Sequence, residues 1–266
     1  MIKPLKRVQN LVGVILLLCT TAKAAGYRKS NMIKKLKAVL FDVDDTLFDR
    51  NRAQREILHL IVQESIEIFT GIDEETIFDA FLESDRLATQ EFNGGGPADV
   101  VRNGRSRRFL KILGLSEDIA DKITTMYIKS YSTVGAQVRG AKFVIENLVG
   151  KFQLGVISNG FPDVQYQKLK TLGVEQLFNC IVLSGEVGLL KPDPRIFWKA
   201  NTSLAREPEE CLFVGDSYNV DVVGAKRAGM RACWFNPHHL RPLQVDIKPD
   251  FEIAALDEIL QILDCV

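Results

Sequence analysis

The sequence predicts an α/β fold: a parallel sheet covered by helices, with an all-helical module inserted after the first strand. Three observations predict it. Short apolar runs, most of them closing on a polar residue, recur at 38–41, 154–158, 181–184, 212–216 and 232–236. From residue 140 onward these runs alternate with helical stretches, and alternating buried strands and helices imply a parallel sheet. Between the first run and the second, residues 50–134 carry helical periodicity alone.

The first strand is Ala38-Val39-Leu40-Phe41, an apolar segment with the composition of a buried strand. After Asp49, Ile57, Leu58, Ile61, Val62, Ile66 and Phe69 recur at spacings of three and four and define one amphipathic helical face, which Gly71 ends. A second helix is expected over 73–86 with Ile77, Phe78, Phe81 and Leu82 inward. Asn93-Gly94-Gly95-Gly96-Pro97 is a loop, and two further helices, 105–113 and 117–131, are split by Gly114. Helices at 163–172, 194–204 and 221–228 separate the later strands, and an amphipathic helix over 253–263 closes the chain. Ligands of such sheets sit at the carboxyl ends of the strands, so the polar residue that ends each run marks the expected site.

The chain has 266 residues, enough for one large domain or two modest ones, and its 46% hydrophobic and 26% charged content fits a soluble globular protein. Basic and acidic residues balance to a formal charge of zero, which gives no electrostatic footprint for nucleic acid. The five cysteines form no CxxC pair, a pattern expected of reduced thiols in a reducing compartment. Residues 1–31 allow two readings. Lys3, Lys6 and Arg7 precede the apolar run 11–19, and Ala22-Lys23-Ala24 follows at signal-peptidase spacing, which fits a secretory leader for a secreted or periplasmic enzyme. That run is too short to span a bilayer comfortably. The other reading, favoured by the missing disulfide pattern, is an N-terminal extension ahead of a true start at Met32, and it predicts a cytoplasmic enzyme.

The chemistry concentrates at the strand ends. Asp42, Asp44, Asp45 and Asp49 place four carboxylates within eight residues directly after a buried strand. Such a cluster is costly unless a cation neutralises it, and Mg²⁺ takes carboxylate oxygens. Ser158-Asn159-Gly160 offers a hydroxyl and backbone N–H groups at a helix start, suited to a phosphate. Lys191-Pro192-Asp193-Pro194 supplies a cation ahead of a helix that begins on proline. Gly215-Asp216 closes another strand, and Asp221 follows at a helix start, where capping a backbone N–H and meeting a metal-bound water are both open to it.

These segments resemble, in order and over residues 38–225, the four motifs of the haloacid dehalogenase-like hydrolases: Asp42-x-Asp44-x-Thr46, Ser158, Lys191 and Asp216 with Asp221. The resemblance implies a Rossmann-like core at 32–49 and 135–266, a helical cap at 50–134, and Mg²⁺-dependent hydrolysis of small-molecule phosphate esters. It implies that Asp42 is the nucleophile and forms an aspartyl-phosphate, that Asp44 is the general acid and base, and that Lys191 holds nucleophile and phosphate together. It places Thr46, Ser158, Asn159, Gly160 and Lys191 at the substrate, and the metal on Asp42, Asp216, Asp221 and the backbone carbonyl of Asp44. The second aspartate of the first motif argues against dehalogenation, because a halide leaves without a proton.

A narrower resemblance, carried by Ser158–Phe161 and by Trp234-x-Asn236-x-His238-His239, is to the pyrimidine 5′-nucleotidase branch, with N-acylneuraminate-9-phosphatase a similar neighbour. It implies nucleoside 5′-monophosphates as substrates. Arg105, Arg107 and Arg108 are expected on a solvated helix face, with Arg108 the candidate to grip a substrate from the cap. A sugar-phosphate phosphatase, a phosphomutase and a non-catalytic binding protein on the same fold are the alternatives. Retention of both Asp42 and Asp44 weighs against the last. No membrane partner is expected, and the oligomeric state stays open.

Overall fold

The computed structural model describes residues 35–131, 133–242 and 246–265. Both readings of residues 1–31 lie outside the described residues.

Among the described residues, six parallel strands form one sheet in the order β3-β2-β1-β4-β5-β6. They are β1 (Ala38–Phe41), β2 (Gln153–Ser158), β3 (Cys180–Leu183), β4 (Cys211–Gly215), β5 (Arg231–Phe235) and β6 (Phe251–Ile253). Every residue of β1 and β4 is buried, as helices on both faces require. Phe41 lies opposite Val156 of β2 and Val214 of β4, so three strand ends come level beside one another. Asp42, one residue further on, and Ser158 and Asp216, two residues further on, therefore lie at the same edge, where the sheet order reverses around β1.

Helices α1 (Arg50–Glu64), α2 (Glu74–Asn93), α3 (Ala98–Ile112) and α4 (Ala120–Ser130) follow β1. Asp49 caps α1 by accepting from the Arg52 N–H at 2.9 Å, and Asp73 caps α2 by accepting from the Thr76 N–H at 2.9 Å. Phe81 anchors the packing, edge-on to Phe109 at 5.7 Å and beside Tyr127 at 5.0 Å. The apolar core runs without a break from Val39 and Phe41 through Phe48 and Ile57 to these rings. After α5 (Ala141–Leu148), α6 (Pro162–Thr171) and α7 (Pro194–Leu204) connect β2 to β3 and β3 to β4, and the short α8 (Val223–Arg227) leads to β5.

Three expectations are corrected. The helix expected to run through 57–69 breaks at Ser65, whose φ of −138° is not helical, and resumes as a single turn at Ile66–Phe69. The second and third helices are longer than expected: α2 continues to Asn93 and α3 begins at Ala98, so only the glycine-rich turn separates them. Ile253 opens no helix. It pairs with Phe235 as the end of β6, and the last helix, α9, spans Glu258–Asp264. Three residues are too few for a period-two pattern to show in the sequence. No helix among the described residues is long and apolar enough to cross a membrane.

Candidate active site

The turn after β1 sets the site. The Asp42 N–H donates to the Val214 carbonyl at 2.9 Å and keeps the residue in the sheet, while the Leu47 and Phe48 N–H groups both donate back to the Val43 carbonyl at 2.9 and 2.8 Å. Asp45 takes a left-handed conformation, φ 55°, which aspartate tolerates better than most residues. The chain thereby doubles back and presents Asp42 and Asp44 in succession.

Asp42 is buried and its Oδ1 lies 2.7 Å from Lys191 Nζ. That contact is not aligned as a hydrogen bond, and Oδ1 has no hydrogen-bond partner among the described residues. The same ammonium donates to Asp221 Oδ1 at 2.7 Å. Asp221 is held from its other side, where Oδ2 accepts from the Ser217 N–H at 3.0 Å. This approach needs Gly215, since a Cβ there would stand 2.5 Å from the Asp221 carboxyl carbon. Asp221 thus meets a backbone N–H, as one reading of the sequence expects, and also pairs with Lys191. Lys191 is positioned by its backbone: its N–H donates to Asn159 Oδ1 at 2.9 Å and its carbonyl accepts from Asn159 Nδ2 at 3.0 Å. The Asn159 side chain is therefore spent on Lys191, and the Gly160 N–H donates to Ser184 Oγ at 3.0 Å.

Ser158 ends β2 with only 1% of its surface exposed, and its Oγ has no partner among the described residues. An unpartnered buried hydroxyl costs free energy unless a ligand completes it. Thr46, fully buried, donates to Asp216 Oδ1 at a long 3.4 Å and so faces the carboxylate that follows β4. The Trp234 Nε1–H donates to the Asp216 carbonyl at 2.7 Å and fixes that strand end. Asn236 bonds its own loop at Leu240 and reaches Glu252 on β6, which gives that segment a structural role.

Asp42, Asp216 and Asp221 each bring an oxygen within 4.8 Å of the others. Burial pushes the Asp42 pKa up to about 6, Lys191 opposing and Asp221 adding to it. Burial, then the charges of Asp42 and Asp221, push Asp216 to about 8. For Lys191, burial alone would lower the pKa, but Asp221 and Asp42 outweigh it and raise the value. Three carboxylates around one ammonium leave surplus negative charge in a buried space, and a hard divalent cation fits that donor set.

Asp44 faces another way. Its Oδ1 accepts from Lys168 Nζ at 2.5 Å and its Oδ2 from Gln165 Nε2 at 2.9 Å. Burial would raise its pKa, yet Lys168 and Arg50 prevail and hold it below the ordinary carboxylate value. A metal contact from this residue is therefore left to its backbone carbonyl. Lys168 and Gln165, both on α6, are absent from the sequence-derived site although each is almost fully buried. Their signal is present: with Leu169 they share the inward face of α6, where apolar residues belong. Gly160 makes room for Gln165, because a Cβ there would lie 2.4 Å from Gln165 Nε2.

A cavity of about 120 Å³ opens from Asp44 toward α2, α3 and α4. Arg102 and Arg105 line it, whereas Arg108 is paired with Glu91 at 2.6 Å and is not brought to the cavity. Arg105 is the inward member of the arginine group and lies against the Tyr127 ring, 3.9 Å from its centroid.

A family model described as haloacid dehalogenase-like hydrolase matches residues 36–229. Among curated relatives, a glyceraldehyde 3-phosphate phosphatase of Methanopyrus kandleri is 31% identical over 86% of this chain and 97% of its own length. The pyrimidine 5′-nucleotidase YjjG of Escherichia coli is 28% identical over 85% of this chain and 96% of its own. Among solved structures, YfnB of Bacillus subtilis, described as bound to magnesium and as revealing interdomain movement, superposes with a TM-score of 0.74 at 28% identity, covering 87% of this chain and all of that one.

Proposed function

This chain belongs to the haloacid dehalogenase-like hydrolases, and from that premise we propose that it hydrolyses small phosphate monoesters through a phosphoenzyme formed on Asp42. The observation that carries the reading is the Asp42 carboxylate at the end of β1, 2.7 Å from the Lys191 ammonium, with the buried and unpartnered Ser158 hydroxyl ending the neighbouring β2. A carboxylate, an ammonium and a free hydroxyl around one point are what an in-line attack on phosphorus requires: a nucleophile, a counter-charge for the phosphoryl oxygens and a hydrogen-bond donor for them. Asp42, Asp216 and Asp221 would hold Mg²⁺, which when bound offsets repulsion between the carboxylates and the phosphoryl oxygens.

In this reading Lys191 holds the attacking carboxylate and the phosphoryl group against each other and keeps Asp221 in place. Asp44 protonates the leaving oxygen and then takes the proton of the water that cleaves the phosphoenzyme. Its pairing with Lys168 favours the ionised form, the one needed for the second step, so the first step requires the substrate to loosen that pair. Residues 50–134 act as the cap that covers the leaving group and excludes water while the intermediate forms.

The cavity beside Asp44 supports a leaving group of few heavy atoms: its 120 Å³ is well below the roughly 300–1,000 Å³ of pockets that enclose drug-sized ligands. The name of the Methanopyrus kandleri relative agrees with that size. A second reading, nucleoside 5′-monophosphates with pyrimidines preferred, is favoured by the name of the Escherichia coli relative and requires a wider opening of the cap. The test is phosphate release from p-nitrophenyl phosphate with Mg²⁺ and with EDTA. The expected result is turnover abolished by the chelator, and protein inert under both conditions would overturn the reading.

A further inference from the structure

The cavity beside Asp44 carries a charge arrangement that the chemistry at phosphorus does not use. Four cations line it, Arg50, Arg102, Arg105 and Lys168, against two carboxylates, Asp44 and Asp85. Lys168 pairs with Asp44 at 2.5 Å, and Arg102 pairs with Asp163, outside the cavity lining, at 2.5 Å. Arg50 and Arg105 remain, and they share one carboxylate: Asp85 accepts from Arg50 Nη2 at 2.5 Å and from Arg105 Nη1 at a long 3.3 Å. Asp85 Oδ2 also accepts from Gln54 Nε2 at 3.1 Å, which leaves Oδ1 to Arg105. Arg105 is the less satisfied of the two guanidinium groups. It is 9% exposed, its Nε has no partner among the described residues, and its remaining neighbours are the faces of Tyr127 and Phe81. A guanidinium largely removed from water, with its Nε unpartnered and its one bond to a carboxylate long, is completed by an anion.

We infer that this cavity is a subsite for an anionic leaving group, so that the preferred ester carries a carboxylate on a short alcohol, held by Arg105 and Arg50. The inference rests on the proposed function, since it takes Asp44 as the residue that meets the leaving oxygen. The cavity begins at that residue, so an alcohol leaving from phosphorus enters it directly. A planar carboxylate matches the fork of a guanidinium, and the Arg50–Asp85–Arg105 chain holds that fork in place. A neutral alcohol of the same size would leave the surplus positive charge uncompensated.

The test compares 3-phosphoglycerate with glycerol 3-phosphate, which share a three-carbon skeleton and differ by a carboxylate against a hydroxymethyl group. p-Nitrophenyl phosphate and uridine 5′-monophosphate are run beside them. The expected result is a kcat/KM at least about tenfold higher for the carboxylate ester than for either the neutral ester or the nucleotide. Arg105→Gln should reduce that preference by about tenfold, and Arg105→Lys, which keeps the charge, should retain most of it. A wild-type ratio near one, or a nucleotide that outranks the carboxylate ester, overturns the inference while p-nitrophenyl phosphate turnover leaves the phosphatase reading standing. A preference that survives Arg105→Gln in folded protein also overturns it. Absence of turnover on all four esters overturns both together.

Discussion

Ser158 separates function from stability most cleanly at the residue scale. Its hydroxyl is buried and unpartnered, so in the ligand-free protein it is a cost, and for the phosphoryl group it is a donor. Ser158→Ala should therefore leave the melting temperature unchanged or slightly higher while kcat/KM falls by about ten- to a hundredfold, read by thermal unfolding and steady-state kinetics on one preparation. Asp42→Asn keeps the side-chain volume and removes a charge that burial disfavours. It should cut turnover by at least about a thousandfold and raise the melting temperature of the metal-free protein. Asp44→Asn should depress alkyl phosphate hydrolysis far more than that of p-nitrophenyl phosphate, whose leaving group needs little protonation. Equal losses on the two esters would remove Asp44 from the acid role.

At the scale of elements, the informative positions are those where a polar residue occupies the apolar stripe of a helix. Gln54 shares the inward face of α1 with Ile57, Leu58 and Ile61, and Asp85 shares that of α2 with Ile77, Phe78 and Phe81. Arg105 on α3, with Gln165 and Lys168 on α6, completes the set. All five are buried, and four of them touch Asp44 or Asp85 directly, while Gln165 also makes the α6 approach to Asp44 depend on Gly160. Because Asp85 is shared by two arginines, Asp85→Asn should destabilise the fold by roughly 2–3 kcal/mol, less than a fully buried pair because Arg50 is partly exposed. Arg50 and Arg105 outweigh burial and hold the Asp85 pKa below its unfolded value, so its contribution is full above that value and lost as pH falls through the folded one. The wild type should lose stability on acidification more steeply than Asp85→Asn, as parallel denaturant titrations would reveal. These residues bear on legibility. The strand ends were readable because most apolar runs close on, or are followed by, a polar side chain, which marks Asp42, Ser158 and Asp216, whereas Lys191, in the loop after β3, was legible only through the motif it resembles. Gln165, Lys168 and Asp85 were not, because each is one polar letter in an otherwise ordinary helix, and only packing reveals which neighbour it answers. β6 escaped because its three residues are too few to show a strand pattern.

At the scale of the whole molecule, the sheet gathers like charges at one edge and relies on cations to hold them. Asp42 near 6 and Asp216 near 8 take up protons on folding, since both values lie above that of a free carboxylate. The metal-free protein should accordingly lose stability as pH rises from about 5 to about 8, the reverse of the Asp85 effect at lower pH. Mg²⁺ must displace those protons, so its affinity should strengthen over the same range, and calorimetric titration near pH 6 and pH 8 should show the tighter binding at the higher value with proton release at the lower. The two titrations together test whether the carboxylates form one cation-binding unit. The claim on which everything else depends is that Asp42 carries the phosphoryl group between the two steps. Rapid quenching during turnover, followed by borohydride reduction and peptide mass spectrometry, measures it directly, because reduction of an aspartyl-phosphate leaves homoserine. The account predicts homoserine at position 42, appearing only when substrate and Mg²⁺ are both present. Substrate turnover with position 42 unmodified, or with the modification at Asp44 or Asp216 instead, would contradict it.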